Sequence, residues 1–196
     1  IHCEAALDEQ SRPSAWLQRA VYPTIGSTFD ASANTPADWE AEMGLTDLPF
    51  DVPNLRLEVG ECKSHTRIGW LRSVCHIQQN FAVGSFADEL AHHVGRDPLE
   101  FLLDLLGEDR HLDLAEYPYD IGRLKNVLRR AAEKSDWTQR IKNMPKGHGL
   151  GIACCRSFLG YTGHVVEVHV GKDGSLEIPK VWVSLDAGTI VSPDRV

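Results

Sequence analysis

The stretch GWLRSVCHIQQNFAVGSFADELAHHVGRDPLEFLLDLL, Gly69 to Leu106, decides how this chain is read. A glycine opens a short turn that carries Arg72 and runs straight into a segment of helical periodicity. Phe81, Phe86, Leu90 and Val94 recur near three-to-four spacing and predict a buried stripe, with Asp88, Glu89, His92 and His93 largely on other faces. Gly95 is placed to close that helix in a left-handed cap. Asp97 then predicts an N-cap, with Pro98 at the first helical position and Glu100 as the acidic partner of a capping box. Leu99, Leu102, Leu103 and Leu106 supply the buried side of this second helix, and Gly107 stops it. A turn lying over a helix N-terminus offers backbone N–H groups to an anion. Arg72 adds a permanently charged planar fork suited to phosphate or an anionic oxo group, and Ser73 and Gln78 add neutral hydrogen bonds. The segment is therefore a candidate cofactor-cradling loop. The plainer reading is an arginine paired with a carboxylate on a loop.

Downstream, Asp120 opens a third helix in which Ile121, Leu124, Val127, Leu128 and Ala131 recur at helical spacing. Its basic residues, Arg123, Lys125, Arg129 and Arg130, read as a solvated face. The last fifty or so positions turn to strands over 149–158, 164–170 and 176–185, the latter two joined by the hairpin signal Gly171-Lys172-Asp173-Gly174. Upstream, 14–22 reads as a strand ended by Pro23, and NLRLEVG, 54–60, alternates as another. Between them GSTFDASANTPADWEAEMGLTDLPFDVP is loop-like, with one short helix around 36–43, and a loop of that length predicts contact with something else. The pattern is α+β: a mixed sheet with packed helices, in a strand- and loop-rich segment 1–68, a cofactor-loop and helical segment 69–145 and an antiparallel β segment 146–196.

Composition narrows the functional classes. Twenty-eight acidic against 20 basic side chains give a net charge of -8, a field that repels polyanions, so no nucleic-acid role is expected. Apolar residues at 42% and charged at 24% are those of a folded globular chain. No run of about 18 apolar residues occurs, so no transmembrane helix is expected. The five cysteines, Cys3, Cys62, Cys75, Cys154 and Cys155, have no C-x-x-C spacing, which argues against a zinc ribbon or an iron–sulfur cluster held by this chain.

Other candidates are weaker. Gly147, Gly149 and Gly151 alternate in GHGLG but lack the strand–turn–helix setting of a dinucleotide fingerprint, and lead instead into a strand. His92 and His93 project about 100° apart on a helix and do not share one metal. Cys154 and Cys155 point to opposite faces of a strand, with no base identified for either thiol. Glu61, in Val59-Gly60-Glu61, reads as a surface turn after a strand. No Ser–His–Asp order, H-E-x-x-H or P-loop pattern occurs. No catalytic residue and no metal ligand is assigned to this stretch.

The segment from Gly69, together with KGHGLGIACCRSFLGYTGHVVEVHVGKDGSLEIPKVWVSLDAGTIVSPDRV from Lys146 onward, resembles the molybdopterin-binding large subunit of the xanthine dehydrogenase/aldehyde oxidase family. The likeness is nearest to isoquinoline 1-oxidoreductase beta subunit-like proteins, with their G-W-x-R-S-V-G-x-x-Q-like loop, F-A-V-E-S-F-x-D-E-L-A, K-D-P-x-x-F-R, R-G-x-G-I-A and D-C-G-x-x-V-N-P-D motifs. Cys75 stands where the family has a glycine, and Ser192 where it has an asparagine. The resemblance implies that Gly69, Trp70, Arg72, Ser73, Val74 and Gln78 lie in a segment that holds the cofactor. It implies oxidative hydroxylation of an aldehyde or N-heterocycle, a molybdopterin cofactor in its cytosine dinucleotide form, and a small 2Fe-2S partner subunit. Because the family's G-G-F-G-R-type loop and G-x-G-E motif are not found, the chain reads as an internal piece of a longer subunit, inactive and without molybdenum by itself. Such a piece is expected to expose apolar surface near Trp16, Phe50 or Trp182 and to self-associate. The rival expectation is a stand-alone, non-catalytic binding or scaffold domain of the same fold. Between bacterial cytoplasm and periplasm the sequence does not choose.

Overall fold

Nine residues from Pro13 to Val21 form the strand around which the first half of the chain is built. In the computed structural model, which describes residues 1–114 and 117–196, this strand (β2) lies between β1 (His2–Leu7) and β3 (Asn54–Gly60). β1 pairs with it antiparallel and β3 parallel. A parallel pair cannot be closed by a tight turn. The connection from Tyr22 to Pro53 spans the gap with a 3-10 turn at Ile25–Thr28 and the one-turn helix α1 (Asp38–Ala41). Two helices follow, α2 (His76–His93) and α3 (Pro98–Leu106). The second half holds the short pair β4 (His111–Leu112) and β5 (Tyr119–Asp120), α4 (Ile121–Ser135), the one-turn α5 (Trp137–Arg140), and three long strands. These are β6 (His148–Ser157), β7 (Gly160–Val170) and β8 (Leu176–Asp186), an antiparallel meander in the order β6-β7-β8.

Helices and mixed sheets together make the chain α+β. It divides into two compact units, Ile1–Gly107 and Glu108–Val196. The reason is packing: α2 and α3 pack on each other with α2 reaching β1, whereas α4 packs across β6, β7 and β8.

In the first unit Trp16 is buried on β2 and meets Phe50 and Phe86 edge-on, at centroid distances of 5.1 and 4.9 Å. Trp16 and Phe50 are thus core residues and expose no apolar face, contrary to expectation. Beside them Gln18 donates from Nε2 to Oε1 of Gln79 on α2 at 2.8 Å, a polar link inside the core. The connection expected to reach outward folds inward instead, burying Met43, Leu45, Leu48, Phe50 and Val52. It is pinned by Glu40, fully buried, whose carboxylate accepts from Thr24 Oγ1, from Ile25 N–H at 2.9 Å and from Ala37 N–H at 3.3 Å. One side chain thereby satisfies two backbone amides and a hydroxyl that a surface loop would leave to water.

The predicted stripe of α2 is partly wrong. His76, Gln79, Val83, Ala87, Leu90 and Ala91 face inward, while Phe81 is 76% exposed. Short residues on the inner face let the helix approach, and the large aromatic is left outside. The Asp97 cap is as read: it accepts from Leu99 N–H and Glu100 N–H at 2.9 and 3.2 Å, with Pro98 at the first position, and Gly95 and Gly107 have positive φ.

In the second unit all five predicted apolar positions of α4 are buried, and Asp120 caps it by accepting from Arg123 N–H at 3.0 Å. The basic residues do not form one solvated face. Arg123 makes a two-pronged pair with Asp186 of β8 at 2.8 and 2.7 Å and lies 4.4 Å over the Tyr161 ring. Lys125 is buried and pairs with Asp109 at 2.6 Å. Of the four, Arg129 and Arg130 stay exposed.

Candidate functional site

The turn from Gly69 to Cys75 sits between β3 and α2, and its backbone is strained. Ser73 and Val74 have φ of 67° and 47°. That region is disfavoured for a β-branched side chain, costing on the order of 1–3 kcal/mol, and such strain concentrates at sites that bind something. The turn is closed by Val74 N–H donating to Leu71 C=O at 3.1 Å and His76 N–H to Ser73 C=O at 2.9 Å. Those two amides are spent inside the turn. Arg72 is exposed and, among the described residues, has neither a hydrogen bond nor an ion pair. A carboxylate partner, the plainer reading, is therefore not what holds it.

Next to Arg72 the chain builds an aromatic platform that the sequence did not announce. Trp70 stacks on Trp39, just after the start of α1, with centroids 5.4 Å apart and planes 3° from parallel. Phe29 lies 6.5 Å from Trp70 at a tilt. Phe29, Trp70 and Leu71 are 80%, 53% and 72% exposed, an apolar surface at odds with its solvent setting. The only signal available was two aromatics, Phe29 and Trp39, in an otherwise polar stretch. Nothing local pairs either with Trp70.

Gly69 has open space where a Cβ would stand, so the backbone there can be approached closely. Cys75, in place of the family's glycine, directs its side chain inward: it is buried, and burial pushes its thiol up to about 11. A Cβ at this position does not obstruct the outer face. Gln78 contacts the Cys75 thiol and lines a groove with Cys3, Tyr22, Phe81 and Ser85, away from the platform. The structure thus brings Gly69, Trp70, Arg72, Ser73 and Val74 together, adds Phe29 and Trp39, and turns Gln78 elsewhere. A turn that carries an exposed guanidinium and, two positions earlier, one member of a stacked indole pair fits a planar group with negative charge.

The remaining candidates are placed as surface or core. Glu61 is exposed just past β3, and His92 and His93 are both exposed on α2. Gly147 has φ of 87° and leads into β6. Cys154 faces the helix side of the sheet, where burial raises its thiol well above the usual range, and Cys155 lies 3.2 Å from Thr162 Oγ1 on the other side. Among the described residues no helix is long and apolar enough to cross a membrane.

Comparison with known proteins adds to this geometry. Over 178 residues, 86% of its length, the chain is 34% identical to the membrane-bound aldehyde dehydrogenase [pyrroloquinoline-quinone] of Gluconacetobacter polyoxogenes, covering 22% of that protein. It is 28% identical over 193 residues to the beta chain of isoquinoline 1-oxidoreductase from Brevundimonas diminuta, 97% of the chain and 22% of the relative. Against a subunit of the nicotinate dehydrogenase of Pseudomonas putida it is 28% identical over 217 residues, covering the whole chain and 17% of the relative. No family model matches the chain. All three relatives are oxidoreductases by name, and two are named as subunits of larger enzymes. The resemblance read from the motifs, to isoquinoline 1-oxidoreductase beta subunit-like proteins, is thus found over nearly the whole chain. It spans about a fifth of the length of the relatives it matches.

Proposed function

We propose that this chain forms part of the cofactor-binding domain of a molybdenum hydroxylase large subunit, acting in oxidative hydroxylation of an aldehyde or an N-heterocycle. The observation that carries the reading is Arg72: a guanidinium with no hydrogen bond or ion pair among the described residues, on a strained turn two positions after Trp70, which stacks on Trp39. When bound, the molybdopterin group, in cytosine dinucleotide form, supplies the two-electron redox chemistry. The chain's own share is to hold and shield. Arg72 would balance negative charge with a fixed planar fork, Ser73 would add a hydroxyl, and open space at Gly69 would admit a ligand atom near the backbone. The indole pair would keep water from one side of the site, which strengthens every charge interaction inside it. Electrons would pass onward to a small 2Fe-2S subunit.

The test uses the full-length subunit. Arg72→Ala is expected to keep its thermal melt, since an exposed side chain with no hydrogen bond or ion pair among the described residues contributes nothing to the core. Turnover per bound molybdenum should fall about thirtyfold to several-hundredfold, the equivalent of roughly 2–4 kcal/mol of lost transition-state stabilisation. Arg72→Lys should recover only part of the loss, because a point charge does not reproduce the fork. Unchanged turnover would reduce the turn to scaffold and favour a non-catalytic role for this fold. Metal analysis of the same sample separates a molybdenum enzyme from one that uses the quinone named for the Gluconacetobacter relative.

A further inference from the structure

The second unit gathers three metal-ligating side chains on its sheet. His148 opens β6 and is the cross-strand partner of His169 on β7. Glu167 lies two residues before His169, and strand side chains alternate with a period of two, so all three project from one face of the sheet. Their donor atoms lie within 4.8 Å of one another. The two imidazole centroids are 3.7 Å apart, and His169 Nε2 is 3.1 Å from Glu167 Oε1. Donors about 2.1 Å from a shared tetrahedral ion sit roughly 3–4 Å apart, so the separations are those a single ion bridges with small side-chain rotations.

The surroundings fix the carboxylate without using it up. Arg140 of α5 takes Oε2 of Glu167 and stacks 4.9 Å over Trp182, leaving Oε1 directed at the imidazoles. A ligating carboxylate oriented by a second hydrogen bond is the usual support of a metal site. From β8, Lys180 is the cross-strand partner of Glu167 and Glu177 that of His169. Two cations and two carboxylates therefore face the pair of histidines, and no excess positive charge opposes a dication. Trp182 is held between Arg140 and Lys180, at 4.9 and 5.0 Å, so it is not the bare apolar residue the sequence suggested.

We propose that His148, His169 and Oε1 of Glu167 form a binding site for a divalent transition-metal cation of the zinc type, with water completing its shell. Two imidazoles and one carboxylate suit zinc and its neighbours rather than magnesium or calcium, which prefer all-oxygen shells.

The experiment is calorimetric titration of the untagged 196-residue chain with zinc chloride, beside His148→Ala, His169→Ala and Glu167→Gln. The parent should take up one equivalent, and each variant should lose at least about tenfold in affinity, since even outer-shell changes cost that much. Zinc should raise the melting temperature of the parent and not of His148→Ala, whose exposed side chain makes it a mild replacement. Alkylating the cysteines beforehand should leave binding intact. The proposal is overturned by no saturable uptake, by uptake that survives all three substitutions, or by uptake that alkylation abolishes.

Discussion

Arg123 and Asp186 illustrate what a single pair of side chains does in this molecule. The guanidinium forks onto the carboxylate from α4 to β8 while resting on Tyr161, so one residue joins a helix, the edge strand and the core aromatic beneath them. Hydrogen bonding to Arg123 holds the Asp186 carboxyl down at about 2. An unfolded aspartate titrates near 3.9. The pair's contribution is therefore complete above about pH 4 and is lost as pH falls from there toward 2. Both groups are partly exposed, so solvent screening keeps the value modest. Arg123→Ala should destabilise by about 1–2 kcal/mol in urea unfolding at pH 7, with the difference shrinking as pH approaches 2. A difference that stays constant down to pH 2 would assign the effect to packing on Tyr161 alone. From the sequence Arg123 looked like one more cation on a solvated face, because its partner stands 63 positions away.

At the scale of elements, the contact of α4 with β7 depends on the absence of a side chain at Gly163. A Cβ there would lie 2.3 Å from Val127 C=O oxygen and 2.9 Å from Leu128 N, both backbone atoms of α4 that no rotamer change can move. Gly163→Ala should push the helix off the sheet and cost about 1–3 kcal/mol or more, read as a lowered urea midpoint with an unchanged slope. Gly151 is the control, since a Cβ there meets nothing within 4 Å. An equal loss in Gly151→Ala and Gly163→Ala would mean that strand propensity, not the helix approach, is what the glycine governs. The helices themselves were readable because their signals are local: Asp97 and Asp120 cap within three residues, and the α4 stripe repeats within one element. Phe81 was misplaced for the opposite reason. Periodicity marks which residues share a face, but which face is buried depends on distant partners such as Gly44, whose Cβ position is 2.7 Å from Gln79 Cβ.

At the scale of the whole chain, the second unit leaves one face of its sheet uncovered. The helix side carries Tyr161, Gly163 and Val165, all covered, whereas the other side exposes Ile178, Val181, Val183 and Leu185 at 58%, 48%, 47% and 47%. β8 is also an edge strand, interrupted near the bulge by Pro179, and exposed apolar edges pair with other chains. The 196-residue chain is expected to self-associate through this face. Sedimentation velocity should show concentration-dependent dimers, and Val181→Lys with Val183→Lys should return monomers; a parent monomeric at high concentration would refute it. What the sequence by itself determined was the α+β class, the helices and their caps, the strands after Gly147, the hairpin at Gly171 to Gly174 and the resemblance to oxidoreductase subunits. Each is written in neighbouring residues or in a motif. Only the tertiary structure decided that β1 pairs with β2, that the stretch from Glu40 to Val52 is largely core, that Trp39 stacks on Trp70, and that His148, Glu167 and His169 meet. Those depend on strand register and on burial between distant positions, where the gain belongs to pairs of residues and neither member carries a mark of the other.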